Sequence, residues 1–321
     1  MPETIGSVWM WWGFGAFVVV ATTVDLLLLR SQGNRPVPMR QALSWSAVWV
    51  ALAGVFAGWL WWHLAGTVGE AVAKQKTTEF VTGYLIEKSL AVDNIFVFLM
   101  LSTYFAVPAA LQKRVLVLGV IGAIVLRTIM ILLGAWLIAT FHWVLYVFGA
   151  FLVLTGVKMW LAAGQAPDLE ANPVLRWMRS HLALTDGFRG ERFWILDNGK
   201  RVFTPLFVVM VLIGVTDMVF AVDSIPAIFA ITADPFIVLT SNIFAILGLR
   251  ALYFVLADLA DRFQLLSYGL AVILLFVGTK MLLVDVVKIP VFASLGIVAA
   301  ILAASVIASV VTRPVSARRP A

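Results

Sequence analysis

Apolar residues in this chain gather into runs of twenty or more, separated by short polar links. A surface helix would instead show an apolar stripe at a 3.6-residue period. A helix needs about 20 apolar residues to cross the hydrocarbon core of a bilayer. Nine stretches reach that scale, over roughly 8–29, 43–65, 80–104, 115–139, 143–163, 204–232, 236–257, 265–287 and 289–311. The predicted fold class is an all-α polytopic membrane protein of about nine transmembrane helices. The link between the seventh and eighth runs is short and holds Asp258, Asp261 and Arg262.

The charges in the links predict an orientation. With the N-terminus outside, fifteen of the 23 Lys and Arg residues fall in inside links, and three (Lys74, Lys76 and Lys288) in outside links. The other five, Lys88, Arg127, Lys158, Arg250 and Lys280, fall within spans. Lys and Arg concentrate on the cytoplasmic side of a membrane, so the C-terminus is expected to be cytoplasmic. Tryptophans near span ends (Trp9, Trp11, Trp12, Trp59, Trp61 and Trp62) read as interfacial anchors. The first run has neither a basic segment before it nor a small-residue cleavage pattern, and reads as a retained helix rather than a signal peptide.

The one long link, 164–203, carries two local signals. Asn172-Pro173 is a helix start, and Val174–Leu184 mixes Leu175, Trp177 and Met178 with Arg176 and Arg179, as suits a short basic helix on the inner membrane face. Asp197-Asn198-Gly199 between two apolar stretches predicts a hairpin turn.

Composition narrows the chemistry. Residues are 62% hydrophobic and only 12% charged, against about a quarter charged in a soluble domain. The net charge of +6 is sorted by membrane side, so it predicts topology and no nucleic-acid partner. No cysteine is present, which removes disulfides, thiolate chemistry and sulfur-ligated metal sites. His63, His142 and His181 have no paired spacing and predict no zinc or copper cluster. There is no Gly-rich phosphate loop, so no nucleotide is expected.

The informative feature is a repeated acidic signature. Glu87-Lys-Ser-Leu-Ala-Val-Asp93-Asn94-Ile95 aligns with Asp217-Met-Val-Phe-Ala-Val-Asp223-Ser224-Ile225 at an offset of 130. Leu126-Arg127 then aligns with Leu249-Arg250 at 123, and Gly156-Val-Lys158-Met159 with Gly278-Thr-Lys280-Met281 at 122. Each repeat holds three spans, so the second enters the membrane inverted relative to the first. Inverted repeats are a transporter architecture, with the site near the midplane where the repeats meet. The predicted organisation is two N-terminal spans (1–79), a first repeat (80–163), a cytoplasmic loop (164–203), a second repeat (204–287), and a last span with a basic tail (288–321).

A charge at bilayer depth costs roughly 2.5–3.5 kcal/mol on insertion scales, so four carboxylates in two short stretches need compensation. Glu87 and Asp93 are six residues apart, about 9 Å of rise and about 120° from alignment on an ideal helix. Seven residues do align, which puts Glu87 with Asn94 and Asp217 with Ser224. Pro226 removes the hydrogen bond to the Val222 carbonyl and predicts a kink beside Asp223. Carboxylates, an amide and a hydroxyl make an all-oxygen ligand set for a hard dication such as Mn²⁺, Mg²⁺ or Ca²⁺. The candidate site is Glu87, Asp93, Asn94, Asp217, Asp223 and Ser224. The competing reading is structural, with the acids paired to Lys88, Arg127 and Arg250.

Three of these stretches, Gly83–Asn94, Phe220–Ile228 and Leu239–Ala251, resemble the TerC family of integral membrane proteins, in particular its Alx-type bacterial members. The resemblance runs from about Ala42 to Ile289. It implies a bacterial inner-membrane location, a fold similar to LysE-type transporters, and export of manganese, ahead of calcium or magnesium, linked to metal homeostasis and alkaline-pH response. The acids it carries over are Glu87, Asp93, Asp217 and Asp223.

Exporting a dication against an inside-negative potential costs about 4.6 kcal/mol per 100 mV. The expected mechanism is cation–proton antiport by alternating access of the two repeats, not enzymatic chemistry. An intramembrane aspartyl hydrolase needs one dyad rather than two repeated pairs. A role in membrane-protein assembly or stress response requires neither repeated acids nor inversion.

Overall fold

Among the described residues the chain forms eleven α-helices: α1 Val8–Gln32, α2 Met39–Thr67, α3 Glu70–Tyr104, α4 Ala109–Thr140, α5 Val144–Ala162, α6 Pro173–His181, α7 Pro205–Phe229, α8 Pro235–Leu247, α9 Leu249–Ala257, α10 Leu266–Leu282 and α11 Val291–Val311. A hairpin, β1 Trp194–Asp197 and β2 Lys200–Phe203, precedes α7. This computed structural model describes residues 4–32, 38–141, 143–162, 172–197, 199–257, 266–287 and 289–311. His142, Asn198, the link 258–265, Lys288, the tail from 312, and the side chains of Asp93 and Arg250 lie outside the described residues.

The chain is a multi-pass membrane protein. Helices α1, α2, α4, α5, α7 and α11 are each long and apolar enough to cross a bilayer. Their outward faces carry exposed large apolar residues, among them Val19, Val55, Ile129, Leu133, Leu154 and Ile307. Water would penalise such a belt, whereas lipid accepts it. Exposed Trp9, Trp12, Trp61 and Trp62 sit near the ends of α1 and α2.

At the centre lies α8, whose thirteen residues are all buried. Pro235 opens it and Asp234 caps it, accepting from the Phe236 N–H at 3.0 Å. It packs against α3 and α4, with α1, α2 and α7 also in contact. The predicted single span 236–257 is in fact two helices, α8 and α9, separated at Gly248. Lys88 of α3 reaches this break: its ammonium donates to the Ala245 carbonyl at 3.1 Å, and a Cβ on Gly248 would lie 2.4 Å from that nitrogen. Glycine both weakens the helix and leaves room for the cation.

Helices α5 and α10 pack closely through glycines. A Cβ on Gly149 would sit 3.1 Å from the Gly278 carbonyl oxygen, and one on Gly278 would sit 2.9 Å from the Gly149 carbonyl oxygen. Small residues let helix backbones approach in membranes, where no hydrophobic force drives them together. Helix α7 continues through Pro226 to Phe229, so the proline interrupts hydrogen bonding without ending the helix.

The 172–203 segment is ordered as the sequence predicts, with one correction. Asn172 caps α6 by accepting from the N–H groups of Val174 and Leu175, and the hairpin pairs Trp194 with Phe203 through Asp197 with Lys200, with Gly199 at φ 76°. The apolar face of α6 is not free for lipid. Leu175 and Met178 are buried against Leu101, Val208 and Leu212 at the ends of α3 and α7, leaving Trp177 as the exposed apolar residue of that helix. The hairpin is tied to α4 through an Arg114–Glu191 ion pair and by Arg114 stacked over Phe193.

Candidate functional site

Three helices place the signature residues. Helix α3 brings Glu87 and Asn94, α7 brings Asp217, Asp223 and Ser224, and α4 inserts Arg127 between them. Arg127 is 1% exposed and Glu87 0%. Such groups are tolerated in a membrane core only when charges pair and hydrogen bonds are made.

Arg127 is the hub. Its guanidinium pairs with Glu87 Oε1 and donates to Asp217 Oδ1 at 3.0 Å. It also donates to Ser224 Oγ at 3.3 Å and to Asn242 Oδ1 at 3.5 Å. The first acids of the two signatures therefore meet through one cation. Asp217 and Ser224, seven residues apart, reach the same guanidinium, as helical spacing requires. Asp223 turns to another face of α7 and accepts from Thr155 Oγ1 on α5 at 3.2 Å.

Among the described residues, several buried atoms of this cluster have no hydrogen-bond partner: Glu87 Oε2, Asn94 Oδ1, Asp217 Oδ2, Arg127 Nε and Asn242 Nδ2. Three of the five are acceptor oxygens from predicted ligands. Unmet buried acceptors carry a desolvation cost of about 1–3 kcal/mol each, more when charged. A hard cation is one chemistry that satisfies such oxygens.

A cavity of about 530 Å³ adjoins the cluster, lined by Asn94, Arg127, Thr155, Lys158, Asp223 and Ser224 among others. A smaller one of about 80 Å³ touches Asn94 and Asp217 on the side facing the start of α4. Asn94 borders both.

Of the six predicted ligands, Glu87, Asp217 and Ser224 thus converge on Arg127, and Asn94, Asp223 and Ser224 share the larger cavity. Asp93 belongs to α3, but its side chain lies outside the described residues. Among the described residues, no three Asp, Glu or His side chains gather as a ready-made metal cluster. The acids are held by Arg127 on one face and separated from Asp223 on another.

Sequence reasoning missed two contributors. Asn242 accepts from Arg127; the sequence places it in the polar triplet Thr240-Ser241-Asn242 of an otherwise apolar run, which does not say what it meets. A second buried polar group lies at the other end of α3: Glu79 accepts from Gln75 at 2.9 Å and pairs with Lys76 at 2.8 Å. Lys76 also lies 4.0 Å from Asp234, which accepts from Thr4 Oγ1 and the Ile5 N–H, each at 2.9 Å. Lys280 donates to Ser294 on α11 at 3.0 Å. His63 stacks on Trp59 and meets Trp9 edge-on.

Residues 72–317 match the integral membrane protein TerC family. The chain is 56% identical over 300 residues to the protein named "Putative membrane-bound redox modulator Alx" in Escherichia coli K12, covering 94% of each. It is 52% identical over 308 residues to the protein of the same name in Photorhabdus laumondii, covering 96% of each. It is 45% identical to an uncharacterised membrane protein of Myxococcus xanthus over 96% of this chain and 94% of that one. No solved structure matches the chain.

Proposed function

The chain belongs to the TerC family of integral membrane proteins, and on that premise we propose that it exports a hard divalent cation, manganese first, in exchange for protons. The observation that carries this reading is the buried meeting of Glu87 and Asp217 at Arg127, with Glu87 Oε2, Asp217 Oδ2 and Asn94 Oδ1 unpartnered beside it. Equivalent acids of the two signatures reach one buried point next to a cavity. A purely structural ion pair has no need of the second signature, the unpartnered oxygens or the cavity.

Two features support the inverted repeat behind the nine-span reading, with α8 and α9 together as the seventh span. Helices α5 and α10, the third members of the two repeats, pack through reciprocal glycine contacts. The seventh span is broken at Gly248, as discontinuous transporter helices are, and a lysine fills the break. In the proposed orientation, with the N-terminus outside in a bacterial inner membrane, the cavity runs from Asp223 on α7 to Ala162 at the cytoplasmic end of α5. The polar group around Glu79, Lys76 and Asp234 lies toward the outside.

The relatives' name invites a second reading as a redox modulator. The chain has no cysteine for thiol exchange, so in this proposal redox effects follow from cellular manganese content.

The test is reconstitution in liposomes with an imposed pH gradient and measurement of Mn²⁺ flux. Flux driven by the gradient, and abolished by Asp93→Asn with Asp223→Asn, is the expected result. Gradient-independent flux would remove proton coupling, and Mn²⁺ binding unchanged in the double variant would remove the site.

A further inference from the structure

Arg127 is only 1% exposed. Among the described residues it is the largest of the fully buried side chains. Its four partners, Glu87, Asp217, Ser224 and Asn242, all offer oxygen. Three of them are residues assigned above to the ion or its direct neighbours on the same helix face. A guanidinium planted among oxygens therefore occupies the position of a cation.

We propose that Arg127 is a tethered stand-in for the transported dication, holding Glu87 and Asp217 together while the site is empty and withdrawing when the ion binds. The proposal rests on the transport reading above and deepens it. Three observations carry it. First, Arg127 satisfies one oxygen of each acid and leaves the other, Glu87 Oε2 and Asp217 Oδ2, without a partner. A single positive charge thus compensates two carboxylates only in part, and a dication would complete the balance. Second, Arg127 itself lines the cavity of about 530 Å³, so the guanidinium has space to move into. Third, that cavity holds a carboxylate, Asp223, whose described hydrogen bond is to a neutral hydroxyl. Turning toward Asp223 lets Arg127 exchange one anionic partner for another and never leaves it as an isolated buried charge, which would be prohibitive. Facing groups from the packed elements are Glu87 and Asn94 on α3, Thr155 and Lys158 on α5, Asp217, Asp223 and Ser224 on α7, and Asn242 on α8.

The device has a kinetic consequence. An exporter must return its empty site across the membrane. Two bare carboxylates would resist that step; the tethered cation offsets one of the two charges, and the proton carried on the return leg offsets the other. Removing Arg127 should then strengthen ion binding, because the competitor is gone, yet stall the empty return.

The experiment compares purified wild type with Arg127→Gln. Equilibrium binding of radioactive Mn²⁺ in detergent is expected to tighten at least tenfold in the variant. In proteoliposomes, Mn²⁺–Mn²⁺ exchange, which does not require the empty site to return across the membrane, is expected to persist. Net efflux down a Mn²⁺ gradient is expected to fall at least tenfold. Equal loss of exchange and net flux, or binding that is unchanged or weaker, would overturn the proposal. If Arg127→Gln does not yield monodisperse protein, Arg127→Lys serves. It keeps a charge, but one ammonium does not bridge both carboxylates as the planar fork does. Net flux must then drop more than exchange, and equal drops overturn the proposal. A wild type that neither binds nor exchanges Mn²⁺ would instead dismiss the transport reading itself.

Discussion

Asp217 and Asp223 stand six residues apart on α7 and look at different neighbours. Asp217 accepts from Arg127 at 3.0 Å, and Asp223 accepts from Thr155 at 3.2 Å. The same short signature therefore supplies one acid to a buried ion cluster and another to a cavity wall. The first acidic signature, on α3, contributes Glu87 to that cluster and Asn94 to that cavity.

Neutralising the two kinds of acid should have different costs. Glu87 is fully buried against Arg127, and removing one partner of a buried pair costs about 3–5 kcal/mol. Glu87→Gln is expected to lower the thermal unfolding midpoint in detergent clearly. Asp223→Asn keeps a hydrogen-bonding group toward Thr155 and should cost about 1 kcal/mol or less, while Mn²⁺ flux is lost. Tryptophan fluorescence on heating reads the first effect, and liposome flux reads the second. Equal midpoint shifts for the two variants would contradict the assignment of separate roles.

Much of this arrangement was legible in the chain. Apolar runs located the helices because a span must be long, and the seven-residue spacing correctly put Asp217 and Ser224 on one face. The hairpin turn followed from local turn chemistry. What the sequence withheld was contact between distant segments. Nothing in Leu126-Arg127 tells which of four carboxylates it will hold, and Asn242 gives no periodic signal. The break at Gly248 depends on Lys88, some 160 residues earlier in the chain. The amphipathic pattern of α6 suits a short basic helix on the inner membrane face, and it is the same whether the apolar stripe meets lipid or, as here, the ends of α3 and α7.

The glycine contacts between α5 and α10 predict a steep size dependence. A Cβ on Gly278 would come within 2.9 Å of the Gly149 carbonyl oxygen, Leu152 Cβ and the Val153 nitrogen, two of them backbone atoms that cannot swing aside. Gly278→Ala is expected to cost about 1–3 kcal/mol through overpacking, and Gly278→Leu to prevent recovery of folded protein. Gly122, with open space around its Cβ position, is the control, and Gly122→Ala should leave the unfolding midpoint near wild type. A tolerated Gly278→Leu would refute the close approach.

At the opposite end of the bundle, Asp234 ties the N-terminal segment to α8. Its carboxylate accepts from Thr4 Oγ1, from the Ile5 N–H and from the Phe236 N–H. Asp234→Ala removes both the tether and the helix cap, the latter worth about 1 kcal/mol. Hydrogen exchange by mass spectrometry should show faster exchange across residues 4–7 and at the first turn of α8. Thr4→Val, which removes the bond to Asp234 and the Gly6 N–H bond to the same hydroxyl but leaves the helix cap, should affect the N-terminal peptide and spare α8. Unchanged exchange in Asp234→Ala would mean the tether does not order that segment.

The contact between Lys88 and Gly248 is the sharpest case for a coupled measurement. The Lys88 ammonium donates to the Ala245 carbonyl near the C-terminal end of α8, where the helix dipole favours a cation. It also fills the volume that a Cβ at position 248 would need, at 2.4 Å, with Trp49 Cβ at 3.2 Å behind it. Gly248→Ala alone must therefore displace a half-buried, bonded cation. Lys88→Met alone leaves a carbonyl without its charged donor, a loss of about 1.5–3 kcal/mol for a hydrogen bond to a charged group. Once the ammonium is gone, the alanine has room on that side. The second substitution should then cost less in the Lys88→Met background than in wild type, with an interaction energy of about 0.5–3 kcal/mol in a double-mutant cycle of unfolding. Additive costs would show that the lysine and the glycine do not share that space, and the break between α8 and α9 would need another cause.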